Sequence, residues 1–550
     1  MNSFSSFYPW LRLDSLNSFV VLAIGLFFVL TVIYSARFME GRPSLIQYYT
    51  YIILTAIASV IAVLANNLIL LLVCWGFLGL TLYLLIGTGS DASSAAAKKA
   101  FIIVGGSDAL MLLGIGIIYY LTKEFQMDKI RLELNSGLTW LAYLSIAVGC
   151  FAKAGAMPFH SWIPDCAQAA PAPVVAFLPA SLDKLLGIYL LARVSLELFS
   201  MNQAMSLFLM MIGAFTIVAA AMMALIQHNM KRLLAYSTVS QVGYMVLGLS
   251  TGLPIGIAGG IFHMLNHTIY KSCLFLTAGN VEYSTKTTEL NELGGLARFM
   301  PLTYVSTLIA GLSLSGIPPF NGFFSKWMIY QGLIERLSFG GRPLVIICLA
   351  AAMFGSGLTL AGFMKLLHAV FLGQPSQKYR KPVTEVSWAM WLPCVLLALI
   401  CVIFGVFANQ IPMKYFILPA VGGVGFIGNW YAGLSTLLIM AGFLLGLFIL
   451  SLKGLRPVIR EDQPYVGGEV FPLEEVRVTG TEFYNTFKEL KTLRFIYKRA
   501  EAGAFDIYEQ GKTAVFGIGR FLQFLHNGVL PTYLVWTLLG MIALFFVLVR

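Results

Sequence analysis

Titratable side chains occur inside long apolar stretches of this sequence, where a charged group near the bilayer centre costs about 2.5–3.5 kcal/mol. Three of them, His263, His267 and Lys271, are spaced i, i+4 and i+8, which places them on one face of one helix. Lysine and histidine side chains held away from water can accept and release protons, so a row of them predicts a proton relay. The alternative is that these side chains extend to the membrane–water interface or form fixed pairs. The full set is Lys153, Asp183, Lys184, His263, His267, Lys271, Lys326, Lys365 and His368.

Two short segments with glycine and proline interrupt the apolar stretches beside two of these lysines. Residues 155–162 read GAMPFHSW and residues 316–323 read GIPPFNGF. Lys153 precedes the first segment, and Lys326 follows the second. A helix breaks at bilayer depth only where protein or a water-filled cavity satisfies the freed backbone groups. We therefore expect a hydrated pocket at each break, with His160 extending the first pocket toward one membrane face.

The composition defines the elements that must position these groups. Of 550 residues, 58% are hydrophobic and 11% are charged, with a mean hydropathy of +0.82. Soluble domains carry about 25% charged residues. A helical span needs about 20 apolar residues, so the sequence predicts an all-α polytopic membrane protein with about fourteen transmembrane helices. Their predicted limits are 15–36, 46–65, 67–88, 98–120, 139–158, 173–198, 205–228, 233–251, 254–279, 300–330, 343–373, 387–408, 432–451 and 529–549.

The sequence shows no signal for binding a metal, a cofactor or a nucleic acid. The seven cysteines show no C-x-x-C spacing, which argues against an iron–sulfur or zinc site. There is no glycine-rich phosphate loop. The net charge of +11 comes from loop lysines and arginines that a membrane protein uses for orientation. We expect no cofactor, no metal and no nucleic-acid partner for this chain, and the lipid bilayer as its surroundings.

The loop charges also predict the orientation. No cleavable signal is evident at the N-terminus. Basic residues concentrate in the loops after odd-numbered spans, which predicts that this face is cytoplasmic. We therefore expect a multi-pass protein of the cell's inner (plasma) membrane, with both termini outside. The basic residues on this face are Arg37, Arg42, Lys98, Lys99, Lys231, Arg232, Lys286, Arg298, Lys378, Arg380, Lys381, Lys453, Arg456 and Arg460.

The two helix breaks suggest an internal repeat. Corresponding breaks in two halves are typical of transporters built from repeats. We place the halves at 46–198 and 205–373, with five spans each, so that the second half is inverted. The remaining segments are predicted as an N-terminal span (1–45), additional spans (374–452), a connector and lateral amphipathic helix (453–528, the helix within 480–525) and a C-terminal anchor span (529–550).

Four segments carry a resemblance to a known family. They read KAGAMPFHSWIPDCAQAAPAPV from Lys153, KRLLAYSTVSQVGYM from Lys231, FHMLNHTIYKSCLFLTAG from Phe262 and GIPPFNGFFSKW from Gly316. Together they resemble the antiporter-like subunits of respiratory complex I. That family also includes subunits of group 4 membrane-bound hydrogenases and of multisubunit sodium/proton antiporters. The resemblance covers residues 12–373, and LPASLDKLLGIYLLAR from Leu178 favours the hydrogenase branch.

The resemblance implies roles for the buried residues. Lys153 matches the central lysine of the first broken helix, and Lys326 matches the lysine of the second. Lys184 matches a lysine on the helix that follows the first break. The connecting relay of the second half matches His263, His267 and Lys271. By the resemblance, the chain is a non-catalytic, proton- or sodium-translocating membrane subunit of a complex I-like oxidoreductase complex, of the group 4 hydrogenase type.

The family also implies partners. They are other membrane subunits and a peripheral redox module, whose subunits would carry iron–sulfur centres and, in a hydrogenase, nickel–iron centres. Two alternatives remain open. One is a subunit of a multisubunit cation/proton antiporter, and the other is a structural membrane subunit with an inactive channel.

The sequence departs from the family pattern in two places. In WGFLGLTLYLLIG, Gly76 stands where family members usually carry a glutamate that pairs with the broken-helix lysine. Asp108 and Asp183 are the buried acids that could replace it. Asp108 is preferred because it lies on another span, whereas Asp183 points about 100° away from its neighbour Lys184. The second departure is that the chain begins at the family's third span. Asp165 is expected to cap the helix after the first break.

Overall fold

A computed structural model describes residues 10–42, 45–89, 93–374, 383–428, 430–452, 481 and 488–549. Almost all of the described chain is helical, which confirms the predicted all-α membrane fold. Two-residue strands at Leu132–Glu133 and Phe199–Ser200 pair in parallel. The chain divides into two units, residues 1–490 and 491–550.

The first part of the chain forms nine helices. They are α1 (Ser15–Phe38), α2 (Leu45–Leu64), α3 (Leu68–Ile86), α4 (Ser93–Thr122), α5 (Gly137–Ala154), α6 (Trp162–Ala169), α7 (Ala172–Phe177), α8 (Asp183–Arg193) and α9 (Gln203–Leu225). A π-helical segment, Leu178–Leu182, joins α7 to α8, and a second, Val194–Leu198, follows α8. Residues 172–198 therefore form one span, Ala172–Leu198, that is buried inside the bundle.

The second part continues with eight helices and π-helical segments at His368–Leu372 and Asn409–Ile417. The helices are α10 (Met230–Ser250), α11 (Pro254–Thr285), α12 (Pro301–Ser315), α13 (Asn321–Arg336), α14 (Arg342–Leu367), α15 (Trp388–Val406), α16 (Leu418–Val421) and α17 (Ala432–Leu452). Short 3₁₀ turns lie at Met127–Lys129, Leu290–Glu292, Leu296–Arg298 and Leu337–Phe339.

Within the described residues, eleven helices are long and apolar enough to cross a membrane. Each of the fourteen predicted spans coincides with a helix or a broken pair of helices. Three predicted spans are not among these eleven, because their helices are shorter or more polar. They are α10, α11 and the pair α12–α13. These helices carry the polar groups of the second half, and α12 has only 15 residues before its chain breaks. The polar groups that lower the hydropathy of these helices therefore include residues of the predicted relay.

Both predicted helix breaks are present and share their local geometry. Helix α5 ends at Gly155 with φ of +81°, and α12 ends at Gly316 with φ of +79°. This left-handed conformation is open to glycine without steric cost, and it terminates a helix. The peptide bonds Met157–Pro158 and Pro318–Pro319 are cis. The chain re-enters helix at α6 and α13, so each break lies between two helical pieces.

An ion-pair cluster ties α1 to α8. The Asp14 side chain caps α1 by accepting from the backbone of Asn17, and Arg193 donates to the Asp14 carboxylate at 2.7 Å. Arg193 also donates to Glu197 at 2.5 Å. Burial opposes ionisation of Asp14, but the hydrogen bond and charge of Arg193 outweigh it and hold the pKa of Asp14 below its ordinary value. The cluster fixes the helix that carries Asp183 and Lys184.

The C-terminal unit contains α18 (Lys491–Glu501), α19 (Ile507–Leu525) and α20 (Leu530–Val549). Both α18 and α19 are amphipathic, and α20 is apolar throughout. In its described part, the predicted amphipathic segment consists of two helices, separated at Gly503, whose φ is +78°. The connector residues 453–480 and 482–487 lie outside the described residues.

Candidate functional site

The ammonium group of Lys153 lies at the first helix break, in the last turn of α5. Its side chain is fully buried. The Nζ atom lies 4.7 Å from the ring centroid of Trp75 on α3, close enough for a cation–π interaction. Among the described residues, no group forms a hydrogen bond with this Nζ atom. The lysine therefore rests on an aromatic face, with its three N–H donors available to water.

Two carboxylates approach Lys153. Asp183 and Asp108 both lie within electrostatic range of its ammonium group. The Oδ2 atom of Asp108 lies 4.0 Å from the place that a Cβ atom would take at Gly76. The carboxylate of Asp108 thus sits beside the position at which the sequence lacks the expected acid. Both acids that the sequence suggested as replacements therefore lie near Lys153.

The neighbouring Lys184 completes a cluster of buried polar groups in the first half. Its Nζ atom lies 5.7 Å from the ring centroid of Trp162 and makes no hydrogen bond with a described residue. No hydrogen bond joins Lys184 to Asp183, as expected for adjacent residues on a helix. Buried polar groups generally bond to protein or to ordered water. The buried atoms without a partner among the described residues are Trp75 Nε1, Asp108 Oδ1, Lys153 Nζ, Asp183 Oδ2 and Lys184 Nζ.

The second half holds Lys271 and two histidines on one face of α11, all fully buried. Lys271 donates to the carbonyl of Leu234 at 3.0 Å and to the hydroxyl of Ser237. His267 has no hydrogen-bond partner at either ring nitrogen among the described residues. It lies within electrostatic range of both Lys184 and Lys271. The histidine therefore interacts electrostatically with a lysine of each half.

His263 is held by three polar neighbours. Its Nδ1 atom lies 2.9 Å from Ser325 Oγ, and its Nε2 atom lies 3.2 Å from Gln241 Oε1. The hydroxyl of Tyr270 lies 3.4 Å from the same Nε2 atom. The amide oxygen of Gln241 can only accept, so this contact favours the form of His263 that carries a proton on Nε2.

Lys326 lies one helical turn past the second break, in α13. It donates to the carbonyl of Leu314 at 3.0 Å, and its Nζ atom lies 4.7 Å from the ring centroid of Tyr244. Lys153 and Lys326 thus share two features of their surroundings, a helix break and an aromatic ring. The carbonyl that Lys326 binds belongs to the last turn of α12, where the break leaves such groups without a partner in their own helix.

The remaining predicted residues have contacts of their own. Lys365 donates to the carbonyls of Leu225 at 2.7 Å and Gln227 at 2.8 Å, and it thereby satisfies the C-terminal end of α9. His160 packs its ring against Tyr236, with 6.4 Å between centroids. The prediction that His368 is buried is wrong, because its side chain is exposed where α14 passes into its last π-helical segment.

Asp165 does not cap a helix as the sequence suggested. Helix α6 begins at Trp162, so Asp165 lies inside its first turn, and Ser161 at the cap position makes no side-chain cap bond. Asp165 instead accepts from Lys99 at 2.7 Å and from Arg232 at 3.1 Å. The carboxylate joins α4, α6 and α10 on one face of the bundle.

Several side chains of the site went unnoticed in the sequence. Trp75 faces Lys153, Ser237 binds Lys271, and Gln241 and Ser325 bind His263. Ser237 and Gln241 lie four residues apart within YSTVSQ, the period of one helical face, which is the one signal that could have identified them. Among the described residues, no cluster of three or more His, Cys, Asp or Glu is arranged to hold a metal ion.

Comparison with known proteins identifies the family. Residues 65–359 match the family described as NADH:quinone oxidoreductase/Mrp antiporter, transmembrane. The chain is 31% identical over 426 residues to NADH-quinone oxidoreductase subunit N of Desulforudis audaxviator, covering 73% of this chain and 83% of the relative. It therefore belongs to this family of antiporter-like membrane subunits, which confirms the resemblance.

Other relatives come from different complexes. A Na⁺/H⁺ antiporter subunit of Alkalihalophilus pseudofirmus is 31% identical over 439 residues, 74% of this chain and 54% of the relative. Hydrogenase-4 component B of Escherichia coli is 31% identical over 431 residues, 74% of this chain and 63% of the relative. The chain spans about half the length of the Na⁺/H⁺ antiporter subunits that it matches.

Solved structures share the fold. A chain of the membrane-bound sulfane sulfur reductase, an archaeal respiratory membrane complex, superposes with a TM-score of 0.79 and 25% identity, covering 99% of this chain and 90% of that chain. A chain of respiratory complex I from Thermus thermophilus gives a TM-score of 0.66 at 21% identity, covering 77% of this chain and 88% of that chain. This protein is an antiporter-like, multi-pass membrane subunit of the kind found in such multisubunit complexes.

Proposed function

We propose that this chain is the ion-translocating membrane subunit of a complex I-like redox complex, of the group 4 membrane-bound hydrogenase type, and that it moves protons, with sodium as the alternative ion. The observation that carries the proposal is the row of buried lysines and histidines through both halves. Lys153, Lys184, His267, Lys271 and Lys326 are each at most 2% exposed. Such groups are rare inside membranes and mark ion pathways.

The arrangement supports proton movement by charge coupling. When one lysine of such a row gains or loses its proton, the electrostatic balance at the next one changes. His267, within electrostatic range of Lys184 and Lys271, links the first half to the second. We propose that this row lies in two inverted repeats, residues 46–198 and 205–373. The matched geometry of the breaks at Gly155 and Gly316 supports it.

The extent of the structural similarity favours a respiratory membrane complex of the sulfane sulfur reductase kind. The reductase chain covers 99% of this chain, whereas the chains of complex I and of the Mrp complex of Dietzia sp. cover 77% and 76%. The hydrogenase-4 component among the relatives supports the same class. In this proposal, partner subunits hold the iron–sulfur and nickel–iron centres and form a peripheral redox module. The complex lies in the plasma membrane, with the termini of this chain outside.

A multisubunit cation/proton antiporter is the second candidate. The similarity to Na⁺/H⁺ antiporter subunits favours it. The two candidates differ in their energy source, since an antiporter exchanges ions without an electron donor. Dependence of ion movement on electron transfer therefore separates them.

Replacing Lys271 or Lys326 with methionine is expected to reduce redox-driven ion translocation to about a tenth of wild type or less, equivalent to about 1.4 kcal/mol on the barrier. Methionine keeps much of the side-chain length but carries no proton, so the relay is interrupted while packing is retained. The measurement is ion uptake by vesicles that contain the purified complex, with assembly checked by subunit composition. Lys129→Met is the matched control, because this lysine is 60% exposed on a loop. Uptake at the wild-type rate in both relay variants would show that the second half is not a channel.

A further inference from the structure

A cavity of about 480 Å³ opens at the face of the bundle where α1 and α3 end and α2 and α4 begin. None of its described lining residues belongs to the relay. Because the ends of membrane-spanning helices lie near the membrane surface, the cavity is at the depth of the lipid headgroups. Its polar lining residues are Arg42, Gln47, Tyr51, Tyr83, Thr88 and Ser94.

The guanidinium group of Arg42 is available to a ligand in this cavity. Its Cζ atom lies 5.3 Å from the ring centroid of Phe38, which supports the side chain from below. Among the described residues, this guanidinium forms no ion pair, and the neighbouring Glu40 pairs with Arg37 instead. Arginine presents five N–H donors in a planar fork that matches a phosphate group. Arg42 therefore has the chemistry of a phosphate ligand and no competing acid.

The charge and the position of the cavity favour an anionic lipid. Among the described lining residues, Arg42 carries a positive charge and none carries a negative one. The loop charges predict that this face is cytoplasmic, and the cytoplasmic leaflet holds the anionic lipids. Basic pockets between transmembrane helices on that side bind anionic lipid headgroups. A neutral headgroup has a cation beside its phosphate, which the arginine would repel.

The surfaces next to the cavity suit acyl chains. Tyr51 and Tyr83 line the cavity at the depth where aromatic rings prefer to lie in membrane proteins. The ring of Tyr83 packs against Phe101 of α4, with 5.6 Å between centroids. Phe101 and, one turn after Tyr51 on α2, Leu54 are exposed apolar side chains. Apolar surface therefore continues from the cavity along α2 and α4, where the tails of a bound lipid can lie.

We propose that this cavity binds the headgroup of an anionic phospholipid, with Arg42 bound to the phosphate and the hydroxyl groups of Tyr83 and Ser94 as further donors. The lipid would fill the space between the ends of α2, α3 and α4. This site is separate from the proposed ion translocation, because it uses none of the relay residues. It is present whichever ion the chain moves.

The test uses the purified complex in phosphatidylcholine vesicles with a small share of phosphatidylglycerol that carries a photoactivatable group in its headgroup. After illumination and digestion, mass spectrometry locates the attached lipid. We expect labelling of α3 and α4 around the cavity, and about fivefold less when the same group is carried by phosphatidylcholine. Equal labelling by both lipids, or no labelling there, would overturn the proposal. Loss of labelling on addition of inorganic phosphate would show a site for a soluble anion and would also overturn it.

Variants show which side chain holds the headgroup. Arg42→Gln is expected to lower labelling by phosphatidylglycerol to about a fifth of wild type and to leave labelling by phosphatidylcholine unchanged. The matched control is Arg37→Gln, because Arg37 is an exposed arginine near the same face that does not line the cavity. Ser94→Trp places a large ring in the cavity from an exposed position and should lower labelling as well. Wild-type labelling in Arg42→Gln, in complexes of full subunit composition, would contradict the assignment of Arg42.

Discussion

Lys153→Ala is expected to abolish coupled ion translocation while electron transfer in the partner module continues in part. Lys153 is the fully buried cation at the first helix break, and its ammonium group faces two acids and an aromatic ring. Without it, Asp108 and Asp183 lose the cation that balances them, and no proton carrier remains at the break. The measurement follows ion uptake and electron-acceptor reduction in the same vesicles.

Removal of one partner from a buried charge pair also destabilises a protein, by about 3–5 kcal/mol. Lys153→Met therefore accompanies the alanine variant, because it preserves volume and tests the charge alone. Lys98→Ala, at an exposed lysine of α4, is the control for a lost surface charge. Normal uptake in both Lys153 variants, in complexes of full subunit composition, would show that the first half does not carry ions.

The second large effect is expected at Asp108. Asp108→Asn should impair ion translocation severely, because it removes one of the two carboxylates within electrostatic range of Lys153. Adding Gly76→Glu to this variant should restore part of the activity. A Cβ at position 76 lies 4.0 Å from Asp108 Oδ2, so the new carboxylate arrives beside the old one.

The control for this rescue is Gly76→Gln in the same Asp108→Asn background, since glutamine has the size of glutamate without its charge. Rescue by glutamate alone shows that a negative charge at this place serves Lys153. Equal rescue by both residues would mean that Asp108 acts through packing. Failure of both would assign the role to Asp183, the other carboxylate within electrostatic range of Lys153.

Much of the fold was accessible from the sequence because the membrane imposes simple rules. Apolar length predicted the spans, and glycine with proline predicted the breaks at Gly155 and Gly316. The spacing of His263, His267 and Lys271 was sufficient to place them on one face of α11, since a single helix has a fixed period.

Contacts between helices were not accessible in this way. Nothing in local spacing shows that Asp165 meets Lys99 and Arg232, because these residues lie on three different helices. The sequence marked Lys365 as a relay residue, but whether it binds the carbonyls at the end of α9 depends on how α14 packs. The position of Asp108 beside Gly76 likewise depends on how α4 packs against α3.

The most direct test of the central claim is ion uptake driven by electron transfer. The complex is purified through a tag on this chain and reconstituted in vesicles, its subunits are identified, and uptake is measured with and without an electron donor. We expect subunits with iron–sulfur centres, and ion uptake that starts only when the donor is added and is missing in Lys153→Met. A complex of membrane subunits alone, which exchanges cations for protons along an imposed pH gradient without any donor, would contradict the account.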